Sequence, residues 1–279
     1  MPKCDLCGQD AGFLRKRHKE CQAKLDAGTA SIKALAADAA PKGAPLDSFH
    51  SQVRQVASES FISADDIPAL LAAGYETAVA SALEDDVLTE EEENSLEAFT
   101  EAMSLTQQQL DGAGAFTRVI KAAVIREVLE GKIPQRMNVS GTLPFNFQKG
   151  ETLVWVFQGV VYSEARTTVR YQGSYQGVSV RVAKGLYYRT GGFRGNPVPT
   201  TQILPVDSGI LGITNKHIYF SGSKKSFRVV YNKIVAFEAY SDGVGIQRDA
   251  SSAKPQVFMT GDGWFTYNLV SNLAKLAAA

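Results

Sequence analysis

Near residue 140 the apolar residues of this chain change the period on which they repeat, and that change limits the fold more than any bulk property. On the N-terminal side they recur every three or four positions. Ile67, Leu70, Leu71, Ala78, Val79 and Ala82 make one helical stripe, with Ser63 ahead of it as a cap. "TEEEENSLEAF" opens another helix, in which Thr89 and Glu92 have the spacing of a capping box and Leu96, Phe99 and Met103 form the apolar side. The glutamates of that run sit at the positive end of the helix dipole. Phe116, Val119, Ile120, Ala123, Val124 and Val128 mark a third helix that stops near Gly131 and Pro134. From about Leu143 the alternation becomes two-residue. "ETLVWVFQGVVYSEA", "GVSVRVAKGLYYRTGG", "GILGITNKHIYFSG", "KSFRVVYNKIVAFEAYSDGVGIQRD" and "PQVFMTG" are rich in Val, Ile, Tyr and Phe and punctuated by Gly, Asn and Asp, as antiparallel strands are. The closing "WFTYNLVSNLAKLAAA" returns to a helical stripe of Phe265, Leu269, Leu273 and Leu276. The expectation is an α+β multidomain chain: a helical bundle, then an antiparallel β barrel or sandwich closed by a C-terminal helix.

Charge follows the same division. The formal net charge of the 279 residues is +0, yet residues 1–44 carry 8 Lys/Arg against 5 Asp/Glu, residues 45–136 carry 6 against 17, and residues 137–279 carry 15 against 7. One domain rarely sorts its charge into blocks of +3, −11 and +8. The expected boundaries are 1–24 for a metal finger, 25–46 for a helical tail and Pro/Gly linker ("AADAAPKGAPLD"), 47–136 for an acidic helical domain and 140–279 for a basic β domain. No run of about 18 apolar residues is present to cross a membrane. The start, MPKCDLCG, lacks the apolar core of a secretory signal, so the expected location is cytoplasmic and disulfides are not expected.

All three cysteines lie in "CDLCGQDAGFLRKRHKEC", with one of the three histidines. Cys4, Cys7, His18 and Cys21 read C-x2-C-x10-H-x2-C. Zinc takes four tetrahedral thiolate and imidazole ligands. A two-residue gap lets a tight knuckle aim both sulfurs at one ion, with Gly8 supplying backbone freedom. His18 and Cys21, three apart, share one face of a helical turn. A full ring of ligands leaves no position for a catalytic water, so the expected cofactor is a structural Zn2+, with Phe13 and Leu14 covering it. Arg15, Lys16, Arg17 and Lys19 flank the ligands, either to meet phosphates or as a solvated basic face that offsets three thiolates. The segment resembles short zinc-knuckle and treble-clef fingers over about 24 residues.

Two further resemblances follow. "EDDVLTEEEENSLEAFTEAMSLT" resembles the helical domain of tellurite-resistance TerB-like proteins, in which an acidic turn precedes a Glu-rich helix start. That resemblance implies a divalent cation at Asp85 and Asp86. The residues themselves lack the D-x-D-x-[DN]-G spacing of an EF-hand and also fit a solvated acidic face. "GILGITNKHIYFSGSKKSFRVVYNKIVAFEAYSDGVGIQRD" is similar to bacterial pleckstrin-homology-like and GRAM-like domains, matching at Gly209, Leu211, Thr214, Asn215, Ile218, Phe220, Ile234, Asp242 and Gly243. The similarity implies a scaffold for lipid, peptide or protein binding rather than catalysis.

Candidates for an anionic ligand on that domain are Arg181, Lys184, Arg189, Arg194, Lys216, Lys224, Lys225 and Arg228, unless they simply face water. No G-x-S-x-G or P-loop occurs, and no cysteine is left over as a nucleophile. "TGGFRGNP" reads as a loop. His50 and His217 fall in different expected domains, and alternation with Ile218 puts His217 outward. The functional expectation is a non-enzymatic adaptor docking a protein partner or a peripheral anionic membrane surface. The alternative is a nucleic-acid binder using the finger and the basic β face.

Overall fold

The structure is a computed structural model describing residues 2–12, 15–43, 46–84, 87–183, 186–250 and 253–278, with side chains described outside 46–47 and 167–201. It divides into two compact units, residues 1–136 and 137–279. Among the described residues no helix is long and apolar enough to cross a membrane.

The first unit holds helices α1 (Lys19–Ala39), α2 (Leu46–Glu59), α3 (Ile67–Ala82), α4 (Glu90–Ala102), α5 (Gln107–Leu110) and α6 (Ala115–Leu129). Of the segment 25–46, expected as a helical tail and linker, residues 25–42 are helical, and one face of them is core. Ile32, Ala36 and Ala40 are fully buried, and α1 packs along α3 and α2. Small residues make this approach possible. A Cβ added at Gly74 on α3 would lie 2.5 Å from both the Ala36 Cβ and the Lys33 carbonyl oxygen. An alanine-rich stretch therefore reads as a spacer but behaves as a close-packing face. The expected stripe on α3 is present at Leu71, Ala78 and Val79, and Tyr75 joins it as one of the largest fully buried side chains. The Tyr75 ring stacks on Phe99 of α4 at 6.5 Å, and Phe49 of α2 meets Phe99 edge-on at 5.6 Å.

The capping box at Thr89 and Glu92 is complete: the Glu92 N–H donates to Thr89 Oγ1 at 3.2 Å and the Thr89 N–H to Glu92 Oε2 at 2.9 Å. Thr106 and Gln109 repeat it at α5. The acidic run is not uniformly solvated. Glu93 is buried and receives guanidinium hydrogen bonds from Arg126 on α6 and from Arg136 beyond it, and Arg136 also reaches Glu127 at 2.6 Å.

The second unit is one antiparallel sheet of seven strands, β1 (Leu153–Ala183), β2 (Leu186–Thr214), β3 (His217–Gly222), β4 (Ser226–Val230), β5 (Ile234–Tyr240), β6 (Gly243–Arg248) and β7 (Gln256–Met259), followed by α7 (Gly263–Ala278). The order across the sheet is β4-β3-β2-β1-β7-β6-β5. β1 and β2 form one hairpin whose register runs from Leu153↔Thr214 to Ala183↔Leu186. "TGGFRGNP" is therefore strand, not loop: Gly192 pairs with Gln176 and Gly191 with Gly177.

Among the described residues the expected antiparallel sheet is present, and it is not closed into a barrel. β4 and β5 are its outer strands and share no ladder, although only Tyr231–Lys233 joins them. Tyr231 is buried at that corner and donates to the Thr214 carbonyl at 3.0 Å. Helix α7 covers the apolar interior, packing on β5, β6 and the corner turn. Phe265 meets Trp155 at 4.8 Å and Phe157 at 6.0 Å, and Leu269, Val270 and Leu273 are fully buried.

Candidate metal centre

The knuckle at the N-terminus is a small hydrogen-bonded loop. Cys4 N–H donates to the Gln9 carbonyl at 2.7 Å, Gly8 N–H to the Cys4 carbonyl at 2.9 Å, and the Lys3 and Asp10 backbones pair as an isolated antiparallel β-bridge. Gly8 takes φ +73°, the left-handed conformation the turn requires and side chains disfavour. The chain then reaches His18 in an extended conformation at the N-cap of α1, so Cys21 falls in the first helical turn.

The ligand atoms of Cys4, Cys7, His18 and Cys21 all lie within 4.8 Å of one another. His18 Nδ1 is 3.3 Å from Cys7 Sγ and 3.7 Å from Cys21 Sγ. Metal–sulfur and metal–nitrogen bonds of about 2.3 and 2.0–2.1 Å at a tetrahedral angle separate nitrogen and sulfur by about 3.6 Å. His18 Nε2 donates to the Asp10 carbonyl at 2.8 Å, which leaves the Nδ1 lone pair facing the sulfurs. That Asp10 carbonyl also holds the His18 imidazole above its usual pKa.

Burial opposes ionisation of Cys4, but backbone N–H groups of Cys7, His18 and Leu6 outweigh it and bring the thiol down to about 6. Burial, reinforced by the neighbouring sulfurs, pushes Cys21 up to about 11. Three crowded sulfurs resist ionising together, and a divalent cation removes that resistance. The four residues thus form a site compatible with a metal ion. Phe13 and Leu14, expected to cover it, lie outside the described residues.

The basic candidates separate. Arg15 and Lys16 are exposed beside the cluster, whereas Arg17 turns back to Asp5 at 3.9 Å and Gln22 at 3.1 Å. On the β unit, Lys224, Lys225 and Arg228 gather on the turn between β3 and β4 and on β4, all exposed, with Lys225 3.7 Å from Glu164. Asp207 fixes that turn by accepting from the Lys224 and Lys225 N–H groups at 2.6 and 2.7 Å. Lys216 stands at the opposite end of β3, half-buried and donating to the Lys149 carbonyl at 3.3 Å. The side chains of Arg181, Arg189 and Arg194 and all of Lys184 lie outside the described residues, as do Asp85 and Asp86. The chain matches no family model, no curated protein and no solved structure.

His217 is not outward. It is buried at 6% exposure and hydrogen-bonded through Nδ1 to the fully buried Glu151 side chain, which also accepts from Tyr219 OH at 2.6 Å and Thr214 Oγ1 at 3.0 Å. Burial alone would raise the pKa of Glu151, but the Tyr219, Gln148, His217 and Thr214 contacts outweigh it and lower it. Alternation fails here because residues 144–151 cross the face that a two-layer reading leaves to water. Phe145 and Phe147 lie against the Tyr219 ring at 5.5 and 5.4 Å. Sequence carried one signal for this, a lone glutamate two residues ahead of the apolar run that begins β1.

Proposed function

We propose that the protein is a non-enzymatic adaptor, with a structural zinc finger built onto a TerB-like helical unit and a pleckstrin-homology-like, GRAM-like β unit that docks a protein partner or an anionic membrane surface. The observation that carries this reading is the second unit: a seven-stranded antiparallel sheet in the order β4-β3-β2-β1-β7-β6-β5 with a packed C-terminal helix. Motif residues named from the resemblance have structural work there. Leu211, Thr214, Ile218 and Phe220 are buried, Asn215 Oδ1 accepts from the Thr152 N–H at 2.9 Å, and the Asp242 carbonyl accepts from Thr260 and Gly261. Zinc is favoured at the N-terminal cluster because three thiolates and one imidazole suit it and leave no open position.

Lys224, Lys225 and Arg228 supply the anion-facing end, held by the Asp207 turn. The test is co-sedimentation of the full chain with phosphatidylcholine vesicles and with vesicles in which part of the lipid is phosphatidylserine. Binding to the anionic vesicles alone, lost when the three cations are changed to Glu, supports membrane docking. Binding to neither, with capture of a specific protein through the same face, supports the protein-docking form. A salt-dependent shift of nucleic acid, lost on changing Arg15 and Lys16, would replace the adaptor reading with the nucleic-acid one.

A further inference from the structure

The first unit contains a cleft of about 190 Å³ between α2, α3 and the end of α4. Its floor is apolar: Phe49, Val53 and Leu71 are buried at 4–5% exposure, and Met103 closes one side. The ionisable groups lining it are His50 and Arg54, four residues apart and therefore on one face of α2. Arg54 is exposed and, among the described residues, has no ion-pair or hydrogen-bond partner. Residues 45–136 carry 17 acidic side chains against 6 basic ones, and Arg126 and Arg136 both find carboxylates within the unit. An arginine over an apolar cleft has a guanidinium fork suited to a carboxylate, and its own unit does not provide one.

We infer that this cleft binds a small amphipathic monocarboxylate, an unbranched alkanoate of about six to eight carbons. At about 30 Å³ for each enclosed non-hydrogen atom, the cavity takes a tail of about six atoms. The carboxylate then lies at the rim, against the Arg54 guanidinium and beside the His50 ring. A longer chain would leave methylenes in water, and a chain as short as acetate would leave the floor uncovered. Association is weak for so few atoms, with dissociation constants in the high micromolar to millimolar range.

The test uses the full chain with 13C-methyl methionine, reading the Met103 methyl resonance during titration with sodium acetate, sodium hexanoate, sodium octanoate and 1-hexanol. Hexanoate and octanoate should give saturable shifts, acetate none, and 1-hexanol should bind more weakly than hexanoate by about tenfold or more, the lower end of the scale for one hydrogen bond to a charged group. Arg54→Gln should erase the preference for carboxylate over alcohol while leaving alcohol binding unchanged. Ala64→Phe, at an exposed position on the rim, should abolish saturable binding without moving the urea midpoint. If Ala64→Phe disturbs the fold, the Arg54→Gln comparison still decides. Equal affinity for hexanoate and 1-hexanol, or a carboxylate preference that survives Arg54→Gln, overturns the proposal.

Discussion

Replacing Glu93 by Gln should destabilise the helical unit far more than the same change at Glu90 or Glu91, although all three belong to one acidic run. The Glu93 side chain is 9% exposed, and its partners Arg126 and Arg136 are 14% and 26% exposed. Gln preserves size and can still accept one hydrogen bond, so the substitution isolates charge. Breaking a fully buried pair costs about 3–5 kcal/mol, and the water available to Arg136 reduces that to about 2–3 kcal/mol here. Glu90 and Glu91 are exposed, and their neutralisation loses only a helix-dipole contribution of about 0.5 kcal/mol or less. For a unit of this size the Glu93 variant should melt about 6–12 °C lower by far-ultraviolet circular dichroism. Adding Arg136→Met to Glu93→Gln should cost less than the sum of the two single changes, since both remove one network. A Glu93→Gln melting point within about 1 °C of the Glu90→Gln value would refute the clamp.

Three further outcomes are expected. Asp207 is pulled in opposite directions: burial raises its pKa, but the Lys224, Lys225 and Ser208 N–H groups and the Ser223 hydroxyl outweigh burial and lower it. Its contribution to stability is therefore complete above the unfolded value of about 3.9 and is lost as pH falls through the lower folded value; the stability gap between wild type and Asp207→Asn should narrow as pH is lowered below about 3.9, and a gap that widens on acidification would contradict this. Gly74→Ala should cost about 1–3 kcal/mol in urea unfolding, because the new methyl meets the Lys33 carbonyl as well as Ala36; an unchanged or raised midpoint would show that α1 and α3 separate freely. A chain ending before α7 should aggregate, since Phe265, Leu269, Val270 and Leu273 are all fully buried against the sheet; a soluble truncated chain with native strand signal would deny the helix its covering role.

Elements whose stabilising groups are close in sequence were the legible ones. The capping box at Thr89 and Glu92, the stripes on α3, α4 and α6, and the cluster of Cys4, Cys7, His18 and Cys21 all follow from spacings of eleven residues or fewer. What escaped depends on partners far away. Ala36 counts for little as a hydrophobe, and only contact with Gly74 makes it core. Glu93 looks like its three acidic neighbours until Arg126 and Arg136, 33 and 43 residues on, reach it. His217 alternates outward by rule, yet Glu151, 66 residues earlier, crosses that face and buries it. The glycines of "TGGFRGNP" read as a loop because strand propensity ignores a hairpin partner, here Gly173–Val178.

Metal content decides the N-terminal centre. Purified full chain, desalted without chelator, should contain one zinc per chain by elemental analysis, with Cys4, Cys7 and Cys21 slow to react with a thiol reagent. Metal binding supplies on the order of 10 kcal/mol of folding energy to such sites. Removing it should therefore make all three thiols reactive while the helical signal persists, because α1 is also held by its buried face of Gly28, Ile32, Ala36 and Ala39 and packs on α2 and α3. Cys7→Ser should lose zinc without losing that signal. No zinc, together with immediate reaction of all three thiols in otherwise folded protein, would contradict the site.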